Sequence, residues 1–289
     1  MEYILHIAFM LNIYIMLVLS TNVTVMANLL TLCQAAFYGI GAYIGTLFLM
    51  QFELPIIIIA LCVMGLSGLC SIIITLASVK LKGDYFILAT LGFQMVVYTI
   101  LYNWIDVTNG PFGISGIPAL KLLGIWELQG VYAYFAVSLI AVLLMVALFA
   151  GLKLSPYGRA LRSLRSDEQS LQALGRDVSF LKGSAFFISA AFAGLAGMLY
   201  ASYASYIDPT SFTLLESLFI VSALFIGGTG NIAGPILGAL FVVILPEVLR
   251  FIGMPESIAA PLRQIIYGLA LVLVMYFRPQ GLGGKEIIK

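Results

Sequence analysis

Charge is what this 289-residue sequence has least of: 14 Lys and Arg and 13 Asp and Glu, together 9% of the residues, against about a quarter in soluble globular chains. So little charge cannot clothe a water-facing surface. A net charge of +1, with no long basic tract, argues against a nucleic-acid partner. Histidine is nearly missing too: His6 is the only one, and membrane proteases and acyltransferases need histidine, paired acids or an activated nucleophile. His6 sits near the start of the first apolar stretch and is read as interfacial. The three cysteines, Cys33, Cys62 and Cys70, lie inside apolar stretches without metal-ligand spacing and read as small buried hydrophobes; no metal site is expected. Ahead of the first apolar stretch there is no basic n-region, and no small-residue cleavage site follows it, so that stretch is expected to be a retained span. Acids and bases are almost absent from the middles of the apolar stretches, whereas an ion-coupled transporter usually keeps them there.

What the sequence has in abundance is long hydrophobic runs. Hydrophobic residues make up 62% and mean hydropathy is +1.10. Runs such as Leu54 to Val79 are long enough to span about 30 Å of hydrocarbon at about 1.5 Å per residue. An isolated strand cannot satisfy its backbone in lipid, so these runs are predicted helices, and the expected class is an all-α, polytopic integral membrane protein. The candidate spans are Ile4 to Leu19, Leu29 to Met50, Leu54 to Val79, Tyr85 to Trp104, Val131 to Gly151, Phe180 to Ala204, Thr213 to Ile226, Pro235 to Leu249 and Ala259 to Phe277. That is about nine, with eight to ten allowed by uncertain boundaries. The chain reads as one transmembrane domain over 1–289.

Cytoplasmic loops retain positive charge. Placing the segment Lys153 to Lys182 inside also puts Lys80, Lys82, Arg278, Lys285 and Lys289 inside and leaves Lys121, Arg250 and Arg263 outside. With nine spans the N-terminus is external and the C-terminus cytoplasmic. The residues 103–130 then form an external loop. Its run "TNGPFGISGIP" forbids a regular helix, and Trp104 and Trp126 flank it as interfacial anchors.

Small residues recur at helical spacing in two spans: Ala35, Gly39, Ala42 and Thr46, and Ala190, Gly194, Gly197 and Ala201. Small side chains let backbones approach where lipid supplies no hydrophobic drive, so packing inside the bundle is expected ahead of a subunit interface. The last third holds a broken pair, Thr213 to Ile226 and Pro235 to Leu249, interrupted by "GGTGNIAGP". Broken helices border water-filled cavities where free backbone groups meet polar solutes. No Gly-Lys-Ser/Thr closes that run, which argues against a nucleotide site. The run "QAAFYGIGAYIG" echoes "TGNIAGPILGAL" weakly in its glycine spacing.

Against this background the segment 153–182 stands out, holding six of the fourteen Lys and Arg residues. It reads as two short helices. Ser155 caps the first, Pro156 suits its first turn, and Tyr157, Leu161 and Leu164 share one face. Ser166 and Gln169 form a capping box for the second, Asp167 and Glu168 sit at its positive end, and Gly175 terminates it. A capped basic pair of this kind either lies on anionic lipid or docks into a soluble partner, and its internal acids and sharp break favour the partner.

The stretch "GRALRSLRSDEQSLQALGRDVSFLKGSAFFISAAFAGLAGMLYASY" resembles the cytoplasmic loop and following span of the permease subunits of branched-chain amino acid ABC importers, in their LivM-like branch. "QAAFYGIGAY", "GGTGNIAGPILGA" and "FRPQGLGG" resemble the same family in the same order, and the outer loop "NWIDVTNGPFGISGIP" is similar to its amino acid permeases more than to the related urea permeases. The chain departs from the family at "VMANLLTLCQ", where Asn28 and Cys33 stand at or near places usually held by glycine.

The resemblance implies a non-catalytic translocation subunit in a bacterial or archaeal cytoplasmic membrane, passing leucine, isoleucine or valine delivered by an external binding protein. Urea, short amides or sugars are the alternative cargo. It implies a second homologous permease and two cytoplasmic ATPase subunits, with ATP and Mg²⁺ on those partners and no cofactor on this chain. It also makes the 153–182 segment the ATPase-coupling element, with Leu161, Leu164, Leu171 and Leu174 as anchors, Arg159, Arg162, Arg165, Asp167 and Glu168 as rim contacts, and Gly175 as the stop. A zwitterion with an apolar tail calls for an aliphatic wall and a few dipoles, and the candidate path residues are Gln34, Tyr38, Gln94, Thr229 and Asn231. Gln94 lies mid-span, where interhelical hydrogen bonding is the plainer role. Glu216 is read as a solvated residue near the outer interface.

Overall fold

The structure is a computed structural model that describes residues 2–52, 54–78, 81, 83–122, 126–127, 130–166, 168–251, 256–277 and 281–283. Side chains are not described at 77–78, 122, 126–127, 165–166, 250–251, 256–260, 263 and 275. Lys80, Lys82, Asp167, Arg278, Lys285 and Lys289 therefore lie outside the described residues, as do the side chains of Trp126, Arg165, Arg250 and Arg263.

All nine apolar stretches are helical. They form α1 (Glu2–Met26), α2 (Gln34–Gln51), α3 (Ile56–Ser78), α4 (Asp84–Asn103), α6 (Val131–Leu154), α9 (Val178–Ala204), α10 (Leu214–Gly227), α11 (Ala233–Phe251) and α12 (Glu256–Phe277). Among the described residues, five of them, α1, α3, α4, α6 and α9, are long and apolar enough to cross a membrane. Between these lie a short α5 (Ile105–Thr108) and the hairpin helices α7 (Pro156–Ser166) and α8 (Glu168–Ala173).

Two boundaries differ from the sequence reading, for local reasons. The first helix continues past Leu19 through a polar stretch because its hydroxyls bond back to their own helix: Ser20 to the Leu17 carbonyl at 2.6 Å, Thr21 to the same carbonyl at 2.9 Å and Thr24 to the Thr21 carbonyl at 2.8 Å. The second helix starts at Gln34 rather than Leu29. Asn28 takes the left-handed conformation (φ 59°), its N–H bonds the Val25 carbonyl at 3.1 Å, and the Leu29 N–H reaches back to the Thr24 carbonyl at 3.0 Å. This is a Schellman closure of α1, in which the left-handed residue is usually glycine. Asn28 thus keeps a glycine's backbone while adding an amide; Cys33, at φ −113°, needs no glycine geometry.

The two small-residue stretches pack against each other. A methyl group at Gly41 would overlap the backbone of Gly194, and one at Gly197 would overlap the Tyr38 carbonyl and the Ala42 nitrogen. Backbone-to-backbone contact between α2 and α9 is the result, inside the bundle as expected. Gly39 faces elsewhere, against Phe212 and Leu101. α9 is the central helix, 78% of its span window buried against 22% for α6.

The loop after α4 is not featureless. A 3₁₀ turn (Gly110–Phe112) leads to β1 (Ile114–Ser115), which pairs antiparallel with β4 (Tyr206–Ile207) after α9, and β2 (Lys121–Leu122) pairs with β3 (Trp126–Glu127). The first ladder ties the loop to the end of the bundle and the second closes the loop on itself; the chain remains all-α in class. Trp104 is exposed there.

The two ends of the bundle are distinct. His6 meets Tyr203 at 2.7 Å at the end carrying the start of α1 and the close of α9. The hairpin, the turn after α1, and the close of α10 lie at the other. Gly281–Gly283 lies there too, its Leu282 and Gly283 N–H groups bonding the Ile226 and Gly227 carbonyls at 2.9 and 2.8 Å.

Candidate functional site: a buried polar junction and a basic hairpin

α2 begins inside the bundle, and its first N–H groups have no partners within their own helix. Other helices supply them. The Gln94 side-chain oxygen, from α4, accepts the Ala36 N–H at 2.7 Å and the Ser217 hydroxyl at 3.2 Å, while that hydroxyl accepts the Ala35 N–H at 2.9 Å. The Gln94 amide nitrogen donates to the Phe212 carbonyl at 2.9 Å. Gln34 bonds the hydroxyls of Ser20 and, at 3.3 Å, Ser189. Tyr38 is buried with its ring centroid 5.0 Å from that of Phe212 and 5.6 Å from that of Tyr200. Five helices meet at this junction.

Of the five candidate path residues, the structure brings Gln34, Tyr38 and Gln94 together and leaves Thr229 and Asn231 apart, at the hairpin end. The Asn231 side-chain oxygen accepts the Gly234 N–H at 2.7 Å and its amide donates to the Gly283 carbonyl. Asn22 clamps the same turn, donating to the Asn231 carbonyl and accepting the Gly230 N–H, each at 2.9 Å. The glycine-rich run is therefore a stitched turn between α10 and α11, and the polar atoms of Gln34, Gln94 and Asn231 are spent on protein partners.

Glu216 departs from its reading as a solvated interfacial residue. Its carboxylate accepts the Tyr14 hydroxyl at 2.6 Å, and it lines a cleft of about 330 Å³ with Glu247, Gln264 and Tyr267. Glu247 in turn accepts the Tyr3 hydroxyl. One carboxylate in a 14-residue helix with no other charged residue was the signal in the sequence.

The hairpin folds as its punctuation dictates. The Ser155 hydroxyl oxygen accepts the Gly158 N–H at 3.1 Å, capping α7. Gly175, at φ 74°, closes α8 with the Arg176 N–H on the Leu171 carbonyl at 3.2 Å and its own N–H on the Gln172 carbonyl at 2.9 Å. The Ser166–Gln169 capping box rests on a Ser166 side chain outside those described. Asp177, unremarked in the sequence, caps α9 by accepting the Phe180 N–H at 3.1 Å.

The apolar face turns inward. Leu161, Leu164 and Leu171 are buried in the chain's own core, so they cannot also be the surface that anchors a partner. That part of the expectation is corrected: an amphipathic face must be covered, and here the bundle covers it. Leu174 is the exception, 80% exposed. Arg159 and Arg162 are exposed and donate to the Leu154 and Lys153 carbonyls at 3.0 and 3.2 Å, at the negative end of α6. Glu168 belongs to an inner tie instead of the rim: both its oxygens accept from Lys182 at 3.0 Å, and Lys182 is only 5% exposed. A second tie joins the Tyr157 hydroxyl to Ser184 at 2.7 Å. Burial lifts the Tyr157 phenol above its ordinary pKa, although the Ser184 bond opposes this, so it stays a neutral hydroxyl.

Comparisons with known proteins agree with this architecture. Residues 3–275 match the family model described as branched-chain amino acid transport system / permease component. The chain is 34% identical to the high-affinity branched-chain amino acid transport system permease proteins LivM of Salmonella typhimurium and Escherichia coli, over 96% of this chain and 69% of each relative. It is 28% identical, over 92% of this chain and 76% of the relative, to the autoinducer 2 import system permease protein LsrC of Escherichia coli. No solved structure matches. A multi-pass bundle of apolar helices, with a match over nearly its whole length, places this chain in the branched-chain amino acid transport permease family of ABC transporters.

Proposed function

We propose that this chain is one permease subunit of an ATP-driven importer for leucine, isoleucine and valine in a cytoplasmic membrane. A second homologous permease stands beside it, an external binding protein delivers the cargo, and two cytoplasmic ATPase subunits carry ATP and Mg²⁺. The hairpin end is cytoplasmic, in keeping with its positive charge.

The observation that carries the reading is the hairpin. Its leucines fasten it from beneath, while Arg159, Arg162 and Leu174 face outward as orienting charges and an apolar anchor for the ATPase. Motion imposed on it passes to α9 through Glu168–Lys182 and Tyr157–Ser184. From α9 it passes to α2 through the glycine contacts, and α2 starts at the polar junction. Packed helices transmit such displacement because interiors are not compressible.

The cargo assignment leans on the names of the relatives at 34% identity. A second reading, another small polar solute such as urea, a short amide or a sugar, draws support from the relative named for autoinducer 2 import. Uptake of labelled solutes by the reconstituted complex decides between them: ATP-dependent accumulation of leucine, isoleucine and valine is expected, and accumulation of other solutes without these three would overturn the assignment.

A further inference from the structure

At the hairpin end lies a cavity of about 400 Å³ whose lining includes Asn28, Leu29, Phe86, Ile87, Glu168 and Lys182. Its volume falls within the ~300–1,000 Å³ of small-molecule sites. Its walls are of two kinds. One carries the Glu168–Lys182 pair, with both carboxylate oxygens 3.0 Å from the ammonium; Leu29, Phe86 and Ile87 make an aliphatic and aromatic wall facing the same space.

We propose that this cavity binds a free zwitterionic amino acid with an aliphatic side chain. The site deepens the permease reading and rests on it for the identity of the ligand. Lys182 is 5% exposed, so a cationic ligand that took Glu168 would strand the Lys182 ammonium out of water, and an anionic ligand that took Lys182 would leave Glu168, its side chain 29% exposed, only partly hydrated. A zwitterion leaves no charge unpaired: its carboxylate meets Lys182, its ammonium meets Glu168, and its side chain lies on Leu29, Phe86 and Ile87. Asn28 adds an exposed amide at a left-handed position where glycine would offer no side chain. That amide can donate to the carboxylate or accept from the ammonium. Because the ligand takes over the contacts that tie α8 to α9, occupancy loosens the hairpin's inner fastening. The ethanolamine headgroup of a phospholipid shares the ammonium-and-anion chemistry; the aliphatic wall favours the free amino acid.

The test uses the full chain carrying Leu81→Cys, another residue of the cavity lining, in nanodiscs of phosphatidylcholine and phosphatidylglycerol, with the unsubstituted chain as blank. The rate of reaction with a charged maleimide is measured. Leucine at ten times its dissociation constant is expected to slow labelling roughly tenfold, following mass action. Isobutylamine and isocaproate, each carrying one of the two charges, leave the rate unchanged, as does adding an ethanolamine lipid in place of leucine. In Leu81→Cys/Ile87→Trp, which fills the apolar wall, leucine no longer protects. An unchanged rate with leucine, equal protection by either single-charge analogue, or protection by the lipid alone overturns the proposal. Labelling needs no transport, so protection without leucine uptake by the assembled importer would sink the cargo assignment and leave the site standing.

Discussion

The side-chain oxygen of Gln94 accepts the backbone N–H of Ala36 at 2.7 Å, so a residue of α4 caps the start of α2 inside the bundle. Gln94→Leu orphans the Phe212 carbonyl, while the Ala36 N–H keeps its bond to the Cys33 carbonyl at 3.2 Å. One stranded buried group would cost about 1–3 kcal/mol by soluble-protein figures, but the unfolded chain in a membrane finds other partners, and each of the interhelical bonds Gln94 gives up averages only about 0.6 kcal/mol there. The expected loss is therefore ~1–2 kcal/mol, read by thermal unfolding in detergent micelles. A melting point equal to that of the parent protein would show the cap to be dispensable.

Gly197→Ala sets a methyl against the Tyr38 carbonyl and pushes α9 off α2. Overpacking of this kind costs about 1–3 kcal/mol. Gly92→Ala is the matched control, because a methyl there meets nothing and helix propensity favours alanine by about 1 kcal/mol. Opposite shifts in melting temperature are expected; shifts of the same sign would mean that the glycine contacts do not set the spacing of the two helices.

Leu164 and Leu174 lie one helix apart in the hairpin and should respond oppositely. Leu164→Asp buries a carboxylate among apolar side chains and is expected to cost more than about 3 kcal/mol, with loss of the folded hairpin to proteolysis. Leu174→Asp, at an 80% exposed site, should change stability by less than about 0.5 kcal/mol while weakening capture of the ATPase subunits. Intact ATPase binding and uptake in Leu174→Asp would remove Leu174 from the docking surface.

Lys182→Met leaves the Glu168 carboxylate without its partner. Breaking a fully buried pair costs about 3–5 kcal/mol; the Glu168 side chain is 29% exposed, and water offsets part of that, so about 1–3 kcal/mol is expected. The exchanged pair, Glu168→Lys with Lys182→Glu, should recover most of the loss in a double-mutant cycle. Additive losses in the exchanged pair would show that the two residues act separately.

Much of the architecture was legible because membranes make it so. Nine apolar runs became nine apolar helices, since lipid leaves a backbone no other way to satisfy itself. The hairpin was legible for another reason: Ser155 and Gly175 act on N–H and C=O groups within a few residues, so their caps need no tertiary information. Leu29 to Cys33 was not legible as a turn, because hydropathy is the same whether a segment is helical or extended. The left-handed Asn28 made the difference. The candidate path residues were picked as dipoles in apolar surroundings, a pattern shared by ligand contacts and interhelical bonds, and Gln34 and Gln94 turned out to hold helices together.

The sequence by itself determined that this chain is a bundle of membrane helices with a capped, basic hairpin at one end, because length, hydropathy and caps act locally. Only the tertiary structure decided which side of each helix meets what. Periodicity marks the face of α7 that must be covered; it does not say whether the chain or a partner covers it. Packing gave Leu161 and Leu164 to the core, set Leu174 outward, and brought Glu168 to Lys182 across the break between two helices.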